Sequence, residues 1–193
     1  MVISRLILNS SGQAISIESN EQSKVLVVQA ESDLSKSTID GVQGAVVLRD
    51  GQGQTKKLAN GLLISQQGEY EVSEMFISAQ SAVDSGELDI VEVEADGVRV
   101  LLVSTAQNLP KEILSDLGVI DVLVLQLVSG SLSEQLKIVN TVDPQLVIPV
   151  GAQAEVDKFK SELGVTFQQE KKLKLKSADF ENEDFVLRGI ELG

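Results

Sequence analysis

Two clusters of side chains in this chain could do chemistry, and neither contains an imidazole or a thiol. The first follows an apolar run: Gly44-Ala45-Val46-Val47-Leu48 gives way to Asp50-Gly51-Gln52-Gly53-Gln54-Thr55. One carboxylate, two amides and a hydroxyl, spaced by glycines, are hard oxygen donors of the kind that hold Mg²⁺ or Ca²⁺. The loop lacks the further carboxylates and the closing Glu of an EF-hand, so a solvated loop is the simpler reading. The second cluster, Ser104, Thr105 and Gln107, ends the run Val98–Ser104. Hydroxyls and amides of this sort can fix a ligand's orientation in a pocket.

Other chemistries are excluded more firmly. The chain has 0 His and 0 Cys. No imidazole base, thiolate nucleophile, disulfide or Cys/His zinc site can be built from it. Ser10, Ser11, Ser129 and Ser131 have no histidine to activate them, which leaves a Ser–Lys pair as the one arrangement open to them. The glycines at 41, 44, 51 and 53 do not follow the spacing of a dinucleotide-binding turn. Lys171, Lys172, Lys174 and Lys176 read as a solvated strand edge, with a docking patch as the alternative.

Regular elements must position these residues. Residues 2–9, 14–18 and 24–30 read as three strands joined by short turns, an antiparallel meander. The run 44–48 is a buried strand, and its loop lies where active sites sit in α/β proteins. Strands are expected at 61–65, 69–72, 74–80 and 88–95, and Asp96-Gly97 is a strong hairpin signal before the return strand 98–104. A helix led by Asn108 and Pro110 places Ile113, Leu114 and Leu117 on one face and ends at Gly118. Residues 121–128 form a near-continuous apolar strand. Ser131-Leu132-Ser133-Glu134 has the capping-box pattern, and that helix runs to Asp143-Pro144. Residues 145–150 are the next strand, and 155–163 an amphipathic helix closed by Gly164. Residues 171–176 are an edge strand, and 185–192 pairs with it or lies near it. A meander followed by alternating helices and strands predicts two sheets packed face to face with helices outside, an α/β (α+β) domain spanning 1–193.

Composition agrees. The chain has 193 residues, 42% hydrophobic but only 3% aromatic, so Val, Ile and Leu must fill the core. The formal net charge of −13 opposes nucleic acid and anionic membrane surfaces. No stretch approaches the ~20 apolar residues that span a bilayer. The default expectations are a cytoplasmic protein, no cofactor, and a protein or small-molecule partner, with a homo-oligomer admitted.

In its order of elements the chain resembles the metallo-β-lactamase fold, with a segment, Gly68-Glu69-Tyr70-Glu71-Val72, similar to the branch that includes ascorbate-6-phosphate lactonases and related zinc-dependent hydrolases. The resemblance is clearest in the second half: Asp96-Gly97 and its return strand, Gly118-Val119-Ile120-Asp121-Val122-Leu123, and Pro144-Gln145-Leu146-Val147-Ile148-Pro149. It implies a single four-layer αββα sandwich. It also places Asp50, Gln52, Gln54 and Thr55 where the family carries the ligands of its H-x-H-x-D-H loop. Leu102 falls at the family's second-motif His, Ser104 or Thr105 at the bridging Asp, and Gly151 at the final His. Leu102 and Gly151 have no donor atom, and neutral oxygens without imidazole or thiolate make a poor zinc site. The resemblance thus implies the fold without its metal, hence a non-catalytic binding or scaffold module. The alternative is a hydrolase-like enzyme or small-ligand receptor that uses the polar rim of the former site.

Overall fold

The computed structural model of the chain describes residues 6–11, 14–19, 23–28, 41–48, 61–81, 87–104, 109, 111–127, 131–181 and 186–192. Five strands open it: β1 (Leu6–Ser11), β2 (Ala14–Glu18), β3 (Lys24–Val28), β4 (Gly44–Val47) and β5 (Leu62–Ile64). Short turns make β1–β3 the expected antiparallel meander, and longer connections make β3, β4 and β5 parallel. Then come β6 (Gly68–Val72), β7 (Met75–Gln80), β8 (Ile90–Ala95) and β9 (Val98–Val103), a second antiparallel meander. At its last hairpin Asp96 and Gly97 have φ of 55° and 72°, the paired left-handed conformation that matches strand twist and that Asp-Gly favours.

Helix and strand alternate from there: α1 (Lys111–Ser115), β10 (Val122–Gln126), α2 (Leu132–Val142), β11 (Leu146–Val150), α3 (Gln153–Leu163), β12 (Phe167–Glu170), β13 (Leu173–Leu175), a 3₁₀ turn at Ser177–Phe180, and β14 (Arg188–Leu192). One sheet has the order β13-β1-β2-β3-β4-β5, the other β12-β14-β11-β10-β9-β8-β7-β6. Strand alternation decides what each sheet buries. Leu8, Ile15, Ile17, Val25, Val27 and Val46 of the first face Ile77, Val93, Val100, Val122, Val124 and Ile148 of the second in one aliphatic core. The opposite face of the larger sheet (Leu101, Val103, Leu123, Leu125, Val147) packs on Leu114 of α1, Ile138 and Val139 of α2, and Val156 and Phe159 of α3. The buried positions of α2 (Gln135, Ile138, Val139, Val142) and of α3 (Val156, Phe159) fall at i, i+3, i+4 and i+7 and at i and i+3, as one helix face requires.

The two face-to-face sheets with outer helices agree with the sequence expectation. The helices among the described residues all lie on the larger sheet. The outer face of the smaller one (Ala14, Leu26, Val28, Ala45, Val47, Leu63) is also buried, and among the described residues no α-helix packs on it, so the expected fourth layer is not seen there.

Several local expectations need correction. The described part of the first strand runs on to Ser11, past the expected end at residue 9, and residues 2–5 of that expectation lie outside the described residues. Ser131 precedes α2 but its side chain makes no cap bond; its Oγ accepts from Gln135 Nε2 at 2.9 Å, and Glu134 accepts from Ser133 Oγ at 2.8 Å. Two neighbouring hydroxyls compete for the partners that the capping pattern assigns to one. Of the two placements expected for 185–192, pairing with the lysine-bearing edge is not the one that the described strand β14 takes. β13 joins β1 in the smaller sheet, whereas β14 inserts between β11 and the unforeseen strand β12 in the larger one. Its buried Gly189 and Ile190 suit an interior position better than an edge.

At the end of the larger sheet where β9 and β10 begin, Arg99 ties three elements together. Its guanidinium donates to buried Glu92 (Nε 2.8 Å) and to the carbonyls of Leu117 (2.6 Å) and Val119 (2.8 Å) that follow α1. The Arg99 N–H donates to Asp121 Oδ2 at 2.8 Å. Burial pushes the Asp121 carboxyl above its ordinary range, although that backbone bond and the Arg99 charge oppose the shift.

Candidate functional site

The opposite end of the same strands holds a cleft. β9, β10 and β11 run parallel, in register from Val100–Val122–Leu146 to Val103–Leu125–Pro149, so their carboxyl ends open at one edge. Connections leave that edge for the helices, and ligands in α/β folds bind outside the carboxyl ends of such strands. Pro149 is tolerated in β11 because pairing to β14 covers only Leu146 and Val147, which leaves no ladder bond for its missing N–H on that side. The chain then turns through Gly151 and Ala152 into α3.

The cleft has a volume of about 630 Å³. Ile15, Val27 and Leu48 of the smaller sheet form one wall. Leu102, Val124, Gln126, Val150 and Leu192 form the facing wall, and Leu127, Gly151, Gln153 and Glu191 reach its rim. The size lies within the range of small-molecule sites, roughly 300–1,000 Å³.

Two sequence-predicted positions meet here. Ser104 and Gly151 both line the cleft, although they are 47 positions apart in the sequence (151 − 104). Leu102, assigned by the resemblance to a lost histidine, lines it as well, and it lies in the wall without closing the cleft. Asp50, Gln52, Gln54, Thr55 and Thr105 lie outside the described residues, as does Gln107. Leu48, two positions before Asp50, is in the cleft wall.

The three described positions do not fit a metal. Leu102 is 4% exposed and belongs to the core between the sheets. Ser104 turns its hydroxyl inward, donating to the Leu88 carbonyl at 3.0 Å, with the Asp89 carbonyl at 3.3 Å. A Cβ placed on Gly151 would stand 3.1 Å from both Cβ and the carbonyl oxygen of Leu127. The approach is tight, so a side chain here, a metal ligand included, would require Leu127 to give by a few tenths of an ångström. Among the described residues no group of three His, Cys, Asp or Glu side chains is placed to hold a metal ion.

Sequence reasoning missed the charged rim. Glu191 accepts from Lys160 Nζ at 2.6 Å and from Gln153 Nε2 at 3.2 Å. These bonds, with the Lys160 charge, hold the Glu191 carboxyl below its ordinary range although burial opposes them. Lys160 also lies 5.6 Å from the centroid of the Phe167 ring. Gln153, Asp157 and Lys160 follow an i, i+4, i+7 spacing on α3, a face that sequence can show. That Glu191 would meet it depends on β14 lying beside β11, which sequence cannot show. Gln126 had a signal: it is the sole polar residue in the run Val122–Leu127, at the carboxyl end of a central strand.

No protein-family model matches the sequence, and no curated protein matches it. Solved structures do match. A candidate Zn-dependent hydrolase of the metallo-β-lactamase superfamily from Thermotoga maritima superposes with a TM-score of 0.73 at 15% identity, covering 97% of this chain and 100% of the other. The metallo-β-lactamase fold protein YhfI from Bacillus subtilis gives 0.61 at 7% identity, over 99% and 96%. Zn²⁺-bound PqqB from Methylobacterium extorquens gives 0.52 at 12% identity, over 84% and 85%. At these identities the likeness speaks for architecture, not activity, and on that ground the chain has the metallo-β-lactamase fold.

Proposed function

We propose that this protein is a non-catalytic member of its fold: a binding module that uses the cleft at the strand ends and does no metal-dependent hydrolysis. The observation that carries the reading is the packing at positions 102, 104 and 151. An aliphatic side chain, an inward-bonded hydroxyl and a glycine pressed against Leu127 stand at the cleft. Hydrolases of this kind need imidazoles and carboxylates to hold zinc and lower the pKa of its bound water to about 7. The sequence has 0 His to offer anywhere. The cleft nevertheless persists as a cavity with a mixed aliphatic and amide lining, which supports binding over a purely structural role.

The test is elemental analysis of protein expressed with zinc, manganese and iron supplied, together with melting curves with and without EDTA. We expect less than stoichiometric transition metal and a melting temperature unchanged within about a degree, since no metal binding contributes to folding. Stoichiometric metal, or a large fall with EDTA, overturns the proposal.

A further inference from the structure

The lining of the cleft narrows what it can bind, an inference that rests on the reading of the cleft as the binding site. The inner walls are aliphatic: Ile15 and Val27 on one side, Leu102, Val124, Val150 and Leu192 on the other. No Phe, Tyr or Trp lines the cleft among the described residues, so a flat heterocycle gains no stacking partner there. An alkyl chain, in contrast, gains its full transfer energy from such walls.

The rim decides the head group. Glu191 is the one charged side chain among the described lining residues, and its carboxylate is already bonded to Lys160 and Gln153. An anionic head would approach that carboxylate in a chain of net charge −13 and meet no cationic side chain among the described lining residues. A cationic head would lose hydration to reach a carboxylate that Lys160 already neutralises. An uncharged head avoids both costs. Gln126 and Gln153 provide amides, each with two N–H donors and a carbonyl acceptor, so an existing partner does not exhaust them.

We propose that the cleft binds an unbranched aliphatic chain with an uncharged hydrogen-bonding head, an alcohol or a primary amide, the chain lying between the two sheets and the head at the Gln126–Gln153 rim.

The experiment is calorimetric titration of the full chain with hexanol, octanol and decanol, then with decanoate and decylamine. The expected result is one site per chain and affinity that rises about fourfold for each added methylene, the ratio set by removing one CH₂ from water. Decanoate and decylamine should each bind at least tenfold more weakly than decanol. Val150→Phe, which places a ring in the cleft at a half-buried position, should weaken decanol at least tenfold. Absence of alkanol binding overturns the inference, as does an affinity indifferent to chain length, or decanoate binding as tightly as decanol. Should Val150→Phe fail to fold, the chain-length and head-group series on the native chain still decide. Elemental analysis of the same sample separates the two readings. Bound metal sinks the proposed function, whereas a metal-free protein that ignores alkanols sinks only this inference.

Discussion

Placing a histidine at position 102 tests whether the position that the resemblance assigns to a metal ligand is part of the core. Leu102 is 4% exposed and packs in the aliphatic core between the sheets, with Val100 and Val124 in the same cluster. Leu102→His removes a buried aliphatic side chain, worth about 2–3 kcal/mol of transfer energy. It also sets an imidazole in an aliphatic cluster, which costs about 1–3 kcal/mol more where its N–H goes unpaired. A loss of about 3–5 kcal/mol at pH 8 is expected from urea denaturation. Burial lowers the folded-state pKa of such a histidine below its unfolded value of about 6.5. The unfolded state then binds the extra proton first, so the loss should grow by about 1 kcal/mol between pH 8 and pH 5.5. Zinc should not restore stability, because Ser104 and Gly151 supply no companion ligands. A variant as stable as the native protein, or one that zinc stabilises by several degrees, would refute the reasoning.

Three further outcomes follow from the packing. Arg99→Met leaves the buried Glu92 carboxylate without its guanidinium and should cost about 2–4 kcal/mol, less than a fully buried pair because Arg99 is 30% exposed. The Glu92→Met/Arg99→Met double variant should lose at least 1 kcal/mol less than the sum of the singles, and an additive cycle by urea denaturation would show that the two do not interact. Lys160→Met should cost about 1 kcal/mol at pH 7, since the Lys160–Glu191 pair is only partly exposed. The Glu191 carboxyl is held below its ordinary value of 4.5, so this contribution is complete above that pH and lost as pH falls through the folded-state value. Stability curves whose difference is flat from pH 7 to pH 3 would contradict it. Val47→Asp places a charge at a position 1% exposed on the covered face of the smaller sheet and should cost at least 3 kcal/mol, read as loss of soluble, cooperatively unfolding protein.

What could be read from the chain alone rested on local physics. Period-two alternation and continuous aliphatic runs locate strands because side-chain direction follows from the backbone, and Asp96-Gly97 names its hairpin through two positive φ angles. The absence of His and Cys removes whole classes of chemistry at any fold, because no arrangement supplies a missing donor. The helix faces at Val139 and Val142 and at Val156 and Phe159 follow from 3.6-residue periodicity. Other features depended on contacts between distant segments. The sequence of β14 does not say whether it lies beside β13 or between β11 and β12, since many strand pairings satisfy the same alternation; burial of Gly189 and Ile190 decides it. Ser104 reads as an available hydroxyl until Leu88, 16 positions earlier, presents its carbonyl. Gly151 reads as a loop residue until Leu127 is seen against it, and Glu191 as one acid among 29 Asp and Glu until α3 brings Lys160 and Gln153 to it. Element types follow from energies within a few residues, whereas the shape and charge of the cleft come from which strands end side by side, a choice made only when the two sheets bury their common face.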